Sequence, residues 1–233
     1  MENGKDEVVK GNLEILESKV KELHSRDMLV WKVISADTIL YRIQDAGHPT
    51  ADIYPKSKAE GRFKDPLGEM GTWYGATHPA VSIAETFGRL RKPSDHQPPM
   101  VSYKKMTPLK MWELKTSRSL NVLDLGACLS MLGLRADQVV GHDYTLTNAL
   151  VKVLCRLPGR PFDGIEYDSR HHQAGQKCYA LWLGEGETPH VVAIKDELLT
   201  QYRYSGQLPK NWPDSDISAQ GIMEHILGYV VFS

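Results

Sequence analysis

The chain has 233 residues, enough to bury a sizeable core, and the simplest expectation is one domain with extensions. It is 41% hydrophobic and 24% charged with a formal net charge of -1, so no overall field points to nucleic acid or a membrane surface. No apolar run approaches the length of a bilayer span, and the polar, acidic start MENGKDEVVKGN is unlike a signal peptide, which together predict a cytoplasmic protein. Cys128, Cys155 and Cys178 are widely spaced, odd in number and form no CxxC, which points away from a disulfide framework and a zinc site.

Residues 5–26 carry Leu13, Leu16, Val20 and Leu23 at three- and four-residue steps, the pattern of an amphipathic helix. Its stripe is too short for an independent coiled coil, so docking on the main domain is expected. LVWKVI and TILYRI then read as strands. The stretch from Gln44 to Met70 is loop, long enough to suggest a function. TWYGA reads as a short strand, and Thr77 or His78 as the N-cap of a helix with Pro79 in its first turn, running to about Leu90.

MVSYKKM, KMWELK and SLNVLDL read as extended, Cys128 to Leu134 as a short helix, and HDYTLTNALVKVLCRL as a helix with Leu146, Leu150, Val153 and Leu154 on one face. DGIEYDS and KCYALWL are predicted strands joined by RHHQAGQ, with His171 and His172 in a surface loop; HVVAI is another strand, and ISAQGIMEHILGYVVF a last helix or strand. Strands and helices interleave without βαβ spacing, so the pattern predicts an α+β (mixed α/β) fold.

No P-loop, dinucleotide-binding glycine motif or GxSxG elbow occurs. Three residues in the run from Gly61 to Thr86 stand out. Arg62 follows a glycine in a loop, where its guanidinium fork suits a phosphate or carboxylate. Tyr74 sits between Trp73 and Gly75 in a strand, so the two aromatics must face apart. Glu85 lies on a helix among small residues, with Arg89 at i+4. Singly, each reads as a solvated arginine, a half-buried tyrosine and a surface ion pair. Together they could grip an anion, cover a ring and stabilise a sugar cation.

The run LYRI, the segment GRFKDPLGEMGTWYGATHPAVSIAETFGR, NVLDLGACLSMLGL followed by HDYTLTNALVKVL, and DGIEYDSRH, in that order and spacing, resemble the RES domain family. The resemblance runs from about Leu29 to Gly184. It implies domains at 1–28 (helical extension), 29–195 (RES domain) and 196–233 (C-terminal extension packed on the domain), with an ADP-ribosyltransferase-like core of short mixed or antiparallel sheets. It implies an NAD-degrading toxin neutralised by an Xre-type antitoxin, with NAD as substrate, phosphate or water as acceptor, and no further cofactor or metal. Carried over by motif, Arg42 and Arg62 would hold the pyrophosphate, Tyr74 would cover the nicotinamide, Glu85 would stabilise the ribose cation and Ser169 would position substrate or the attacking group. Members often open with a tryptophan–arginine pair; here Lys32 follows Trp31. Protein ADP-ribosylation and a non-catalytic binding module are the rival readings, and a homo-oligomer stays open.

Overall fold

A computed structural model describes residues 2–56, 61–90, 97–141, 143–172 and 175–233, leaving aside the side chains of residues 2–10 and of Arg89. In chain order the elements are α1 (Glu2–Ser25), β1 (Trp31–Ile34), β2 (Ile39–Asp45), β3 (Gly71–Ala76), α2 (Pro79–Phe87) with a 3-10 turn (Gly88–Leu90), and β4 (Met100–Ser102). Next come α3 (Tyr103–Met106), β5 (Leu109–Thr116), β6 (Leu120–Asp124), α4 (Leu125–Leu132), α5 (Ala136–Val140) and α6 (Thr145–Leu154). The chain ends with β7 (Gly164–Asp168), β8 (Lys177–Leu183), β9 (Val191–Leu198), β10 (Arg203–Tyr204), β11 (Ile217–Ser218), α7 (Ala219–Gly221), a π-turn (Ile222–Ile226) and β12 (Val230–Phe232).

The fold is α+β. Eight strands form one sheet in the order β1-β6-β7-β8-β3-β2-β5-β9, antiparallel throughout except at β6–β7. MVSYKKM is a correction to the extended reading: it splits into β4 and the helical turn α3, because Pro108 and the buried Met106 force the chain to turn before β5.

Strand alternation sorts the side chains onto two faces. One face gathers Leu40, Trp73, Trp112, Leu114, Val122 and Leu181 into a single core. The other face carries two cores. Leu16, Val20 and Leu23 of α1 bury with α4 and α6 over β6, β7 and β8, so the N-terminal helix docks as its stripe predicts. Full burial of each such leucine contributes about 1.5–3 kcal/mol. Over β2 and β5, α2 packs with the tail through Ala80, Ile83, Phe87, Leu199, Ile217 and Ile222.

The two sheet halves meet weakly. β2 and β3 share a single residue pair, Tyr41–Ala76, whereas β3 pairs with β8 along six residues from Gly71 to Ala76. The sheet therefore splits open between β2 and β3, at the seam between the two outer cores.

Trp73 folds its ring back over Gly75, and a Cβ there would collide with the indole. Trp73 is fully buried and its Nε1 donates to Ala51 O at 2.7 Å, so it cannot yield cheaply. Gly75→Ala is expected to destabilise the protein by about 1–3 kcal/mol, read as a lower midpoint in urea.

Candidate active site

The loop that follows the long connection is bolted to the fold residue by residue. Phe63 plugs the core, its N–H donates to the Tyr74 hydroxyl at 3.2 Å, and its carbonyl accepts from Trp182 Nε1 at 3.0 Å. The Lys64 N–H donates to Asn148 Oδ1 at 3.2 Å. Asp65 accepts the N–H groups of Leu67, Glu69 and Met70 and pairs with Arg156, whose Nη1 lies 3.3 Å from Oδ1. Burial alone would raise the Asp65 pKa, but Arg156 and the loop amides outweigh it and hold it below the ordinary carboxylate range.

This scaffold sets Arg62 in place beside the cleft. Arg62 is 9% exposed and its Nε is buried with no hydrogen-bond partner among the described residues. Its guanidinium lies 6.0 Å from the Phe63 ring centre and 5.9 Å from that of Tyr167. A buried donor left unpaired costs free energy, so a guanidinium in this state is poised for an anion.

Helix α2 starts where the sequence places it. Pro79 occupies its first turn, and His78 Nδ1 accepts the Ala80 N–H at 3.1 Å. Burial lowers the His78 pKa, which keeps that nitrogen an acceptor. Ser82 Oγ donates to Tyr41 O at 2.8 Å and ties the helix to β2. One turn further, Glu85 faces the seam.

Ser169 determines how Glu85 sits. Its Oγ donates to Glu85 Oε1 at 2.6 Å and accepts the N–H groups of His171 and His172, both at 3.1 Å. One donor and two acceptors exhaust a hydroxyl. Ser169 is fully buried and is not among the described residues lining the cleft; its hydroxyl holds Glu85. The two histidines are half-buried in this turn rather than displayed on a surface loop. The expected partner Arg89 lies outside the described side chains.

Arg62, Tyr74 and Glu85 all border one cleft of about 480 Å³ that fills the split between β2 and β3. Tyr74 faces it from β3, opposite to Trp73, and burial pushes its hydroxyl pKa up to about 12. Lys64, Tyr144, Tyr167 and Arg170 also line the walls. None of these four was singled out from sequence, although all lie inside the stretches that carry the family resemblance. Arg170 donates from Nη1 to Val140 O at 3.1 Å, and burial lowers the Lys64 pKa. Among the described lining residues the cations face a single carboxylate, Glu85.

Arg42 borders the cleft and is also tied to the long loop. On β2 it shares a face with Leu40, and its guanidinium lies 5.8 Å from the Trp73 ring centre while Nη1 donates to Ala51 O and Ile53 O at 3.2 and 3.4 Å. Burial draws its pKa down to about 10. Arg42 thus lines the cleft while its Nη1 ties the long loop to the sheet. Lys32, where an arginine was anticipated, bridges Asp124 at 2.8 Å and Glu166 at 2.6 Å across the β1 edge. No group of three or more His, Cys, Asp or Glu among the described residues is placed to hold a metal ion.

The sequence pattern of the RES domain matches residues 39–204, a span that includes Arg62, Tyr74, Glu85 and Ser169. The chain belongs to the RES domain family. Among curated proteins, none matches it in sequence. This RES domain is similar in fold to a chain in the crystal structure of the M. tuberculosis MbcT–MbcA toxin–antitoxin complex, at 15% identity and a TM-score of 0.56, covering 92% of this chain and 96% of that one. No helix among the described residues is long and apolar enough to cross a membrane.

Proposed function

We propose that this RES domain cleaves the nicotinamide–ribose bond of NAD, with phosphate or water as acceptor, as the toxin of a toxin–antitoxin pair. The observation that carries the reading is the pairing, in one cleft, of a guanidinium whose buried Nε has no hydrogen-bond partner among the described residues and a carboxylate fixed by a saturated hydroxyl. Arg62, with Lys64 and Arg170 beside it, supplies the charge a pyrophosphate needs. The Tyr74 ring offers a π face to the cationic nicotinamide.

As the glycosidic bond breaks, its electron pair passes to the pyridinium nitrogen and nicotinamide leaves neutral. Positive charge then develops on the ribose, where Glu85 stabilises it, and an oxygen of phosphate or water closes on C1 of the sugar. Because the leaving group needs no proton, the site requires no general acid. The family and the toxin–antitoxin complex that shares its fold support an antitoxin as partner, and we assign it to the Xre type, acting in the cytoplasm.

Incubation of the protein with NAD, with and without phosphate, tests the reading. Free nicotinamide without labelled protein is the expected result. Label on a macromolecule would favour ADP-ribosyl transfer, and absence of turnover in both buffers would remove the enzymatic reading. Arg62→Lys is expected to weaken NAD binding by about tenfold, since a point charge cannot reproduce the two-pronged fork. Calorimetric titration of the variant checks this.

A further inference from the structure

A second cavity of about 130 Å³ lies on the far side of Arg62, between the Arg62 loop and helices α4 and α5. Arg62 and Tyr167 line both this cavity and the main cleft, whereas Glu85 and Tyr74 line only the main cleft. Its walls are apolar: Phe63, Leu129, Val139 and Val140. Its one carboxylate is Asp168. Asp168 Oδ1 is held by Lys177 Nζ at 2.5 Å, and Oδ2 accepts no hydrogen bond among the described residues.

A dinucleotide has the same order of parts. Its pyrophosphate stands between two nucleosides, as Arg62 stands between two cavities. With the reacting ribose at Glu85 and the pyrophosphate at Arg62, the cavity beyond Arg62 is placed for the other nucleoside. We propose that the cavity behind Arg62 is the adenine subsite, with the apolar walls against the faces of the base and Asp168 Oδ2 accepting its exocyclic amine. The assignment rests on the NAD reading and extends it to how the substrate is selected.

A flat, largely apolar base gains from leaving water for such walls, and its amine needs an acceptor once there. The cavity is open to a blocking substitution. Gly126 at the start of α4 lines it, and a Cβ there would meet Asp124 Oδ1 at 3.5 Å and Asp168 Oδ2 at 3.8 Å, ordinary contact distances. A larger side chain at this position projects into space the base would occupy.

Two measurements decide the matter. Calorimetric titration with ADP-ribose, which keeps the adenosine and pyrophosphate but has no bond to cleave, is expected to show binding weakened about tenfold or more in Gly126→Leu. In the unaltered protein, nicotinamide hypoxanthine dinucleotide, which carries a carbonyl in place of the amine, is expected to bind about tenfold more weakly than NAD, because the carboxylate is left facing an acceptor. The second comparison needs no variant and stands even if Gly126→Leu fails to fold. Equal binding of NAD and the hypoxanthine analogue, or ADP-ribose affinity unchanged in a folded Gly126→Leu, would overturn the subsite. NAD cleavage with no such discrimination would leave the reaction standing and remove the subsite alone. ADP-ribose binding lost in Gly126→Leu, in a protein that releases no nicotinamide, would keep the subsite and remove the reaction.

Discussion

Glu85→Gln is expected to lower nicotinamide release by about 10²–10³-fold while leaving the melting temperature and NAD affinity close to those of the parent. The substitution is nearly isosteric. A glutamine carbonyl can still accept from Ser169 Oγ, which donates to Glu85 Oε1 at 2.6 Å, so the side chain keeps its orientation. What changes is the negative charge opposite the ribose, and that charge matters only as the glycosidic bond breaks. The loss should therefore fall on kcat rather than on binding. Equal turnover for variant and parent would show that the carboxylate does not act on the reacting sugar.

Ser169→Ala is expected to combine two losses. The hydroxyl is fully buried and makes three hydrogen bonds, two of them from backbone N–H groups. Alanine leaves those donors without their acceptor, a cost of about 1–3 kcal/mol that a urea titration would detect. It also frees Glu85, and a carboxylate displaced by an ångström can lose about 10²-fold in rate. A nucleophilic serine would give a different pattern, with activity abolished and stability nearly unchanged. Ser169→Thr keeps the hydroxyl and separates the two accounts: partial recovery of both stability and rate is the outcome a positioning role requires. A covalent ADP-ribosyl adduct on Ser169 would contradict it.

Much of the site was legible because its parts occupy different kinds of local structure. Gly61 and Pro66 mark the Arg62 loop, alternation separates Tyr74 from Trp73, and His78-Pro79 announces the start of the Glu85 helix. Those signals are local, and the structure brings all three residues to one cleft. The role of Ser169 was not legible, since its bond to Glu85 joins residues 84 apart in the chain. The loop contacts of Arg42 were not legible for a related reason. Its motif identified an arginine, but its direction depends on sharing a sheet face with Trp73 and on the carbonyls of a loop with no regular pattern. Lys64, Tyr144 and Arg170 carry no signal of their own, because what makes them part of the site is the opening between β2 and β3. The strands were readable from composition; the break in their pairing was not, since adjacent β-rich segments look alike whether or not they hydrogen-bond.

That break has a consequence for how long the protein survives. With one residue pair joining its two strand systems, the seam is held mainly by side-chain packing rather than by a strand ladder. A molecule lodged in the gap touches both systems and acts as a brace, adding about 2.7 kcal/mol when present at a hundred times its dissociation constant. If that molecule is the NAD of the proposed reaction, exhausting its pool would withdraw the brace and shorten the life of the protein that consumes it.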